Sequence, residues 1–497
     1  MTDALNTVSL IFSSAVWFFG IVFFLVILVF IYDVYQTPHA VLRNYPVLGH
    51  FRYFLETLGE YFRQYFFAND REELPFNRAT RNWVYRTAKG LGGMIGFGST
   101  NDMREPGSII FVSSPYPVLE EDCLPAPGLT IGQECQYPFT AKKIFNVSGM
   151  SYGALSAPAV RALSLGAGKV GCWMNTGEGG LSAHHKAGAC DLIYQIGTAK
   201  YGVRDEHGKL SEQKLKAVAK EVKAFEIKIS QGAKPGRGGV LPAAKVSREI
   251  AEIRGIPINV TSSSPNRHVE IQSPDDLLDM ICRVREVTGR PVGFKTVISN
   301  EIFSETLFEA VLRRGIDCAP DFITLDGGDG GTGAAPQILA DHVGLPLVES
   351  LPMLSNTLIE AGLKERIRVV ASGRLVTSAK VAWALCAGAD FVVSGRGFMF
   401  ALGCIQSLQC HLDTCPTGIT THNKRRQRGL VIEDKVKRVS NYAHWVNVEV
   451  DKLAHSCGLQ NAREFRREHV RIVKEAFYSE SLADMHPYPG NESRREG

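Results

Sequence analysis

Two stretches, Ile367–Arg374 (IRVVASGR) and Asp390–Arg396 (DFVVSGR), repeat one phrase: a short apolar run ending in Ser-Gly-Arg, with a helix-like stretch, Ser378–Ala387, between them. A strand buried on both faces of a parallel sheet reads as such a run, and a helix must carry the chain back to the next parallel strand. Toward the N-terminus the phrase recurs at Ile144–Ser148, Gly171–Asn175, Phe225–Ser230, Pro257–Ser262, Pro291–Val297 and Asp321–Asp326. The helix-like stretches Ala157–Gly168, Pro242–Arg254, Pro274–Thr288, Glu301–Gly315 and Val348–Gly362 fall between them, several closed by glycine as helix ends prefer. Eight runs in alternation predict an α/β fold, a (β/α)8 TIM barrel rather than an open doubly wound sheet. Tyr194–Leu210 fits neither kind of slot and reads as an insertion after the second strand.

Barrel chemistry sits at the C-terminal ends of the strands, and polar residues gather there. The paired Ser-Gly-Arg turns predict a phosphate cradle of backbone N–H groups, helix N-termini and arginine; ordinary tight turns are the alternative. Gly328–Gly333 (GDGGTG) matches a dinucleotide fingerprint by letter. It follows a sixth strand and precedes Ala334-Ala335-Pro336, so it reads instead as a loop in close contact with a planar ligand. Lys228 and Lys295 lie on buried strands, where a lysine needs a neutralising anion. A phosphate, a reduced flavin or a substrate carboxylate would serve; so would ion pairs with Glu178 or Asp326. Cys404, Cys410 and Cys415 follow the last strand as C-x5-C-x4-C, soft ligands suited to an iron-sulfur cluster. Zinc with His411 remains the alternative, although the paired C-x2-C knuckles of zinc sites are missing.

The 497 residues carry 55 Lys and Arg against 51 Asp and Glu, too close to balance for a nucleic-acid footprint. With 11 cysteines in so long a chain, reduced thiols are expected rather than a disulfide scaffold. From Ala4 to Tyr32 no residue is charged, and Ala15–Ile31 is apolar throughout, which predicts a spanning helix. A signal peptide would want a basic start and a small-residue cleavage site. Arg43, Arg52 and Arg63 follow the span and no Lys or Arg precedes it, so the reading is a single-pass membrane protein with its body in the cytoplasm. The aromatic cluster Tyr61–Phe67 (YFRQYFF) reads as the core of an irregular preface rather than as a membrane-surface element. The expected domains are a transmembrane anchor (1–36), a preface packed on the barrel (37–140), the barrel with its cysteine loop (141–425), and a C-terminal helical extension and tail (426–497).

Several longer motifs carry a family resemblance: SGMSYGALS (148–156), NTGEGG (175–180), IKISQGAKPGRGG (227–239), DGGDGGTGAAP (326–336) and GCIQSLQCHLDTCPTGI (403–419). Over roughly residues 120–425 the chain resembles the FMN and iron-sulfur synthase domain of glutamate synthase. With its apolar helix and the RNYPVLGHFRY stretch (43–53) it is most similar to the short, membrane-anchored proteins of that family. The resemblance implies an oxidoreductase acting on CH-NH2 donors, in which an imine from 2-oxoglutarate, or a related keto acid, and ammonia is reduced by FMN to glutamate. It implies that Glu178, Lys228, Gln231 and Lys234 hold the keto acid and assist proton transfer. Ser148, Gly149, Met150, Ser151, Asn175 and Lys295 would contact the flavin and ribityl, and Gly327, Gly328, Gly373, Arg374, Gly395 and Arg396 would line the cofactor and its phosphate. Cys404, Cys410 and Cys415 would bind a 3Fe-4S cluster fed by a separate electron-donor protein; a homo-oligomer is compatible with the resemblance.

The chain also departs from the family. The N-terminal catalytic Cys of the glutaminase domain is missing. Arg237 and Val240 stand where the family has Glu and Gln, and Ser263-Ser264-Pro265-Asn266-Arg267-His268 replaces SPPPHHD. A membrane-attached flavin and iron-sulfur electron carrier or redox sensor, without amination, is the alternative function.

Overall fold

A computed structural model describes residues 2–490. The strands Phe145–Val147 (β1), Met174–Asn175 (β2), Leu192–Ile196 (β3), Ala224–Lys228 (β4), Val292–Thr296 (β5), Phe322–Asp326 (β6), Arg368–Ser372 (β7) and Phe391–Ser394 (β8) close into a barrel in sequence order. Every pairing around the ring is parallel. Nearly every strand residue is buried, as the uniformly apolar runs require. The crossover helices form for local reasons, as Pro274–Thr288 illustrates. Ser273 caps it by accepting from the Asp276 N–H, proline occupies its first turn, and Gly289 ends it at φ 66°. Its Leu277, Leu278, Ile281 and Val284 recur at helical spacing and are buried.

Two of the expected barrel segments are corrected. Leu192–Ile196 is the third strand, so the stretch read as an insertion begins inside the barrel wall. Only the short helix Ala183–Lys186 separates it from β2, and the usual strand-helix spacing is lost there. Pro257–Ser262 is no barrel strand. Ile258 and Val260 are about half exposed, and only Ser262–Ser263 pairs, antiparallel, with Val240–Leu241.

The N-terminal end of the barrel is stoppered by the hairpin Leu129–Ile131 and Phe139–Ala141. Ile131 and Phe139 join Trp173, Phe322 and Phe391 in one core cluster. The C-terminal stretch, expected to be helical, holds the 25-residue helix Ile432–Ser456 and then two strands. The helix lies against Ala157–Val170, where a side chain on Gly166 would collide with Val439. Its Tyr442 donates to the Val376 carbonyl at 2.7 Å and meets Phe145 and Phe398 edge-on. The strands Val470–Glu475 and Tyr478–Ser481 form a three-stranded sheet with Ile109–Phe111.

Residues 1–79 form a separate compact unit. It contains the helix Thr2–Tyr35, of which Ser9–Tyr35 is long and apolar enough to cross a membrane. A second long helix, Gly49–Phe62, continues as a π turn, Arg63–Phe67. The aromatic cluster read as a preface core is exposed: Tyr65 at 55%, Phe66 at 74% and Phe67 at 75%.

Candidate active site

The parallel register puts Lys228 of β4 directly beside Lys295 of β5. Two ammonium groups side by side in a barrel mouth need carboxylates, and each has one. Lys228 Nζ lies 3.1 Å from Glu178 Oε2, and Lys295 Nζ lies 3.3 Å from Asp326 Oδ2. The ion pairs weighed as an alternative are therefore present, and the two lysines by themselves demand no ligand. Asp326 also accepts from the Ser372 hydroxyl at 2.7 Å and from the Gly232 N–H at 2.9 Å, which fixes it completely.

The balance differs around Glu178. Burial alone would raise its pKa, but Lys228, Lys234 and Arg254 outweigh that and hold it below the ordinary value. Three cations thus share one carboxylate, and an acidic ligand would complete the set. Lys234 is the most affected: burial and then the charge of Lys228 push its pKa down to about 8. Gln231 is buried one turn earlier, where its carbonyl accepts from the Lys234 N–H at 3.2 Å. Glu178, Lys228 and Lys234 therefore form one cluster, with the backbone of Gln231 beside it. The loop after β4 lies on it so closely that a Cβ at Gly239 would strike the Glu178 carboxylate. Arg237 and Val240, on that loop, are exposed. Next to the cluster His268 is buried, its Nε2 3.0 Å from the Lys228 carbonyl, and burial lowers its pKa to about 4.

Four of the residues expected to hold the cofactor line the inside of the barrel. Ser148, Gly149, Asn175 and Lys295 do so together with Glu226 and Thr324, around a void of about 10 Å³, room for roughly one water molecule. Glu226 is buried with three neutral donors, Asn175 Nδ2 at 2.8 Å, Gln195 Nε2 at 2.7 Å and the Thr324 hydroxyl. The loop from Ser148 to Ser151 is held from below: the Met150 N–H donates to the Asn175 carbonyl, and His185 Nε2 donates to the Met150 carbonyl at 2.8 Å. Gly327 and Gly328 are locked to β7 and to Leu345 by their N–H groups.

At the ends of β7 and β8, Arg374 and Arg396 converge on Asp329. Arg374 Nε is 3.9 Å from its carboxylate, and Arg396 donates to its carbonyl at 2.8 Å. Lys380, six residues beyond Arg374, is exposed at their edge; partial desolvation and then the charge of Arg374 lower its pKa. Burial and Arg374 likewise bring Arg396 down to about 10. Two half-buried arginines and the exposed Lys380 against one carboxylate, beside the small residues Gly373 and Gly395, form a site with donors suited to a phosphate monoester. Lys380 escaped the sequence reading, as did Gln195, Glu226 and Thr324.

Cys404, Cys410 and Cys415 share one loop. Burial first and then the neighbouring thiols raise Cys404 to about 12 and raise Cys410, while hydrogen bonds from Thr417 and Thr420 leave Cys415 below its ordinary value. Lys245 is buried beneath the loop and donates to the carbonyls of Cys410 and Thr420 at 2.7 and 2.6 Å. Tyr85 donates to the Cys404 carbonyl at 2.6 Å. Among the described residues no three His, Cys, Asp or Glu side chains are arranged as a metal-holding group. The expected cluster therefore rests on donor chemistry and loop packing.

The family model for the conserved region in glutamate synthase matches residues 117–460. The chain is 40% identical over 488 residues to the glutamate synthase large subunit-like protein YerD of Bacillus subtilis, covering 90% of this chain and 92% of that one. It is 33% identical over 329 residues to the archaeal glutamate synthase [NADPH] of Methanocaldococcus jannaschii, covering 66% of this chain and 61% of that one. Among solved structures, the flavin-binding domain of baker's yeast flavocytochrome b2 is similar at a TM-score of 0.44 and 13% identity, with 80% of each chain covered. The chain belongs to the glutamate synthase family.

Proposed function

We propose that the protein is an FMN-dependent oxidoreductase of the glutamate synthase type, which reduces the imine formed from 2-oxoglutarate, or a related keto acid, and ammonia. The observation that carries this reading is the excess of positive charge around Glu178, set one loop away from a phosphate-suited cluster. In this reading Arg374, Arg396 and Lys380 hold the phosphate of FMN. Ser148–Ser151, Asn175 and Lys295 lie along its ring and ribityl, with Gly327, Gly328, Gly373 and Gly395 leaving room for it. When bound, the flavin supplies hydride. Lys228, Lys234 and Gln231 bind and orient the keto acid, and the Glu178 carboxylate holds the Lys228 ammonium in place, the proton that Lys228 gives up being replaced from solvent. The Lys228 ammonium at 3.1 Å from Glu178 Oε2 is placed to pass a proton to the substrate nitrogen. Cys404, Cys410 and Cys415 would hold an iron-sulfur cluster of the 3Fe-4S type, with Lys245 and Tyr85 pinning its loop. The helix Ser9–Tyr35 would anchor the protein in the membrane by a single pass, with the body in the cytoplasm and a separate protein as electron donor.

The test is turnover of 2-oxoglutarate and ammonia by anaerobically purified protein with a chemical reductant. Lys228→Ala should abolish it, and Val240→Gln, which restores the family's amide, should shift preference toward 2-oxoglutarate. Unchanged turnover in Lys228→Ala would remove the catalytic assignment. Flavin reduction with no amination of any keto acid would leave the electron-carrier reading.

A further inference from the structure

The unit of residues 1–79 leaves a long apolar face uncovered. In the helix Gly49–Phe62 and its π-turn continuation, Phe51, Phe54, Leu55, Phe62, Tyr65 and Phe66 recur at helical spacing along one side. Each is between 42% and 74% exposed. The opposite side carries Arg52, Glu56, Glu60 and Arg63, with Arg52 and Glu56 paired at 3.2 Å. A helix so divided is built for a boundary between water and an apolar phase.

The start of this helix is tied to the end of the apolar one. Asp33, buried two residues before the end of Thr2–Tyr35, accepts from the Val47 N–H at 2.8 Å and from His50 Nε2 at 2.9 Å. His50 lies in the first turn of the amphipathic helix, so that helix begins where the apolar one ends. If Ser9–Tyr35 crosses the bilayer, this is the headgroup level. Arg43 lies in the intervening helix Ala40–Asn44, and Arg52 and Arg63 lie on the polar side, which suits an anionic leaflet.

We infer that Gly49–Phe67 lies in the plane of the membrane surface, its aromatic face in the lipid, as a second attachment beside the spanning helix. The inference rests on the anchor proposed above. Its occupant is a lipid surface. The Asp33–His50 elbow sets the level of the helix.

The test uses the full chain reconstituted in vesicles containing phosphatidylglycerol, with brominated lipids as fluorescence quenchers. Trp17, one of five tryptophans, sits in the spanning helix and reports on the anchor: bromines deep in the acyl chains should quench the fluorescence lost in Trp17→Phe. In the Trp17→Phe background, the signal added by Phe54→Trp should be quenched by shallow bromines at least about twofold more than that added by Glu60→Trp on the polar face. A deep signal from Trp17 with equal quenching at positions 54 and 60 would overturn the surface helix and leave the anchor standing. No lipid quenching of Trp17 would sink the anchor, and with it this inference. Protection of position 54 from an aqueous quencher only when a second protein is added, without a bromine effect, would assign the face to a protein and also overturn it.

Discussion

Lys234 should make keto-acid binding sensitive to pH in a range where most lysines do not titrate. Burial and the neighbouring charge of Lys228 bring its pKa from 10.5 to about 8, with Glu178 pulling upward and Arg237 pushing further down. One pH unit above that value only about a tenth of the ammonium remains. If the charge is needed to hold the acid, the Kd for 2-oxoglutarate should rise about tenfold per pH unit from pH 8 upward. The assay is the change in flavin absorbance on titrating 2-oxoglutarate without ammonia, which keeps the titration of ammonia out of the result. Lys234→Arg keeps its charge and should bind with little dependence on pH. Stability moves in the opposite sense. The unfolded lysine holds a proton up to 10.5 and the folded one only to about 8, so stability rises as pH climbs between these values. The gain is at most about 3 kcal/mol, and Lys234→Met should lack it. A Kd that stays flat through pH 9, or the same rise in Lys234→Arg, would refute the reasoning.

Lys380→Met removes one of the three cations at the ends of β7 and β8 and should weaken FMN by about 10- to 100-fold, equivalent to a lost charge-assisted bond; full flavin occupancy after gel filtration would contradict this. Cys410→Ser should lose iron and sulfide but keep its flavin, as read by metal and sulfide analysis of anaerobic protein, and zinc bound without sulfide in the parent would argue against the cluster. His185, whose pKa burial lowers to about 4, should cost stability as pH falls from 6.5 toward 4, because the unfolded chain takes up the proton first. The loss is of order 3 kcal/mol. Urea melts of His185→Leu should show lower stability at neutral pH and a shallower fall in acid; parallel pH profiles would disprove the assignment.

The barrel was legible because buried parallel strands leave continuous apolar runs, and the two runs ending in Ser-Gly-Arg marked its last strands. Leu192–Ile196 was missed for the opposite reason, since only the helix Ala183–Lys186 sets it apart from β2. Pro257–Ser262 looked like a strand from its Ile and Val, but exposure is decided by what packs on a segment, which local pattern does not record. At the site, Lys228 and Lys295 stood out as charges on apolar runs. Glu226 carried the same signal two residues before Lys228 and went unread, because its partners Asn175, Gln195 and Thr324 are neutral and come from three other strands. Lys380 lies on a helix whose sequence gives no hint of the phosphate-suited cluster, since only the fold brings it to Arg374 and Arg396.

The mouth of the barrel therefore has two electrostatic regions. Near Lys295 the books are closed: Asp326 takes one ammonium, one hydroxyl and one N–H, and Glu226 is satisfied by neutral donors. Near Glu178 three cations face one carboxylate, and the departure of this chain from its family falls on that side. Where the sequence resemblance implies Glu, this chain has Arg237, whose charge lowers the pKa of Lys234. Arg237 is exposed, and solvent screens its effect on affinity, yet Lys234 is buried and feels it. Arg237 thus adds to the lowering of the Lys234 pKa, after burial and Lys228. If Lys234 holds the keto acid as proposed, acid binding and proton placement depend on the same lysine.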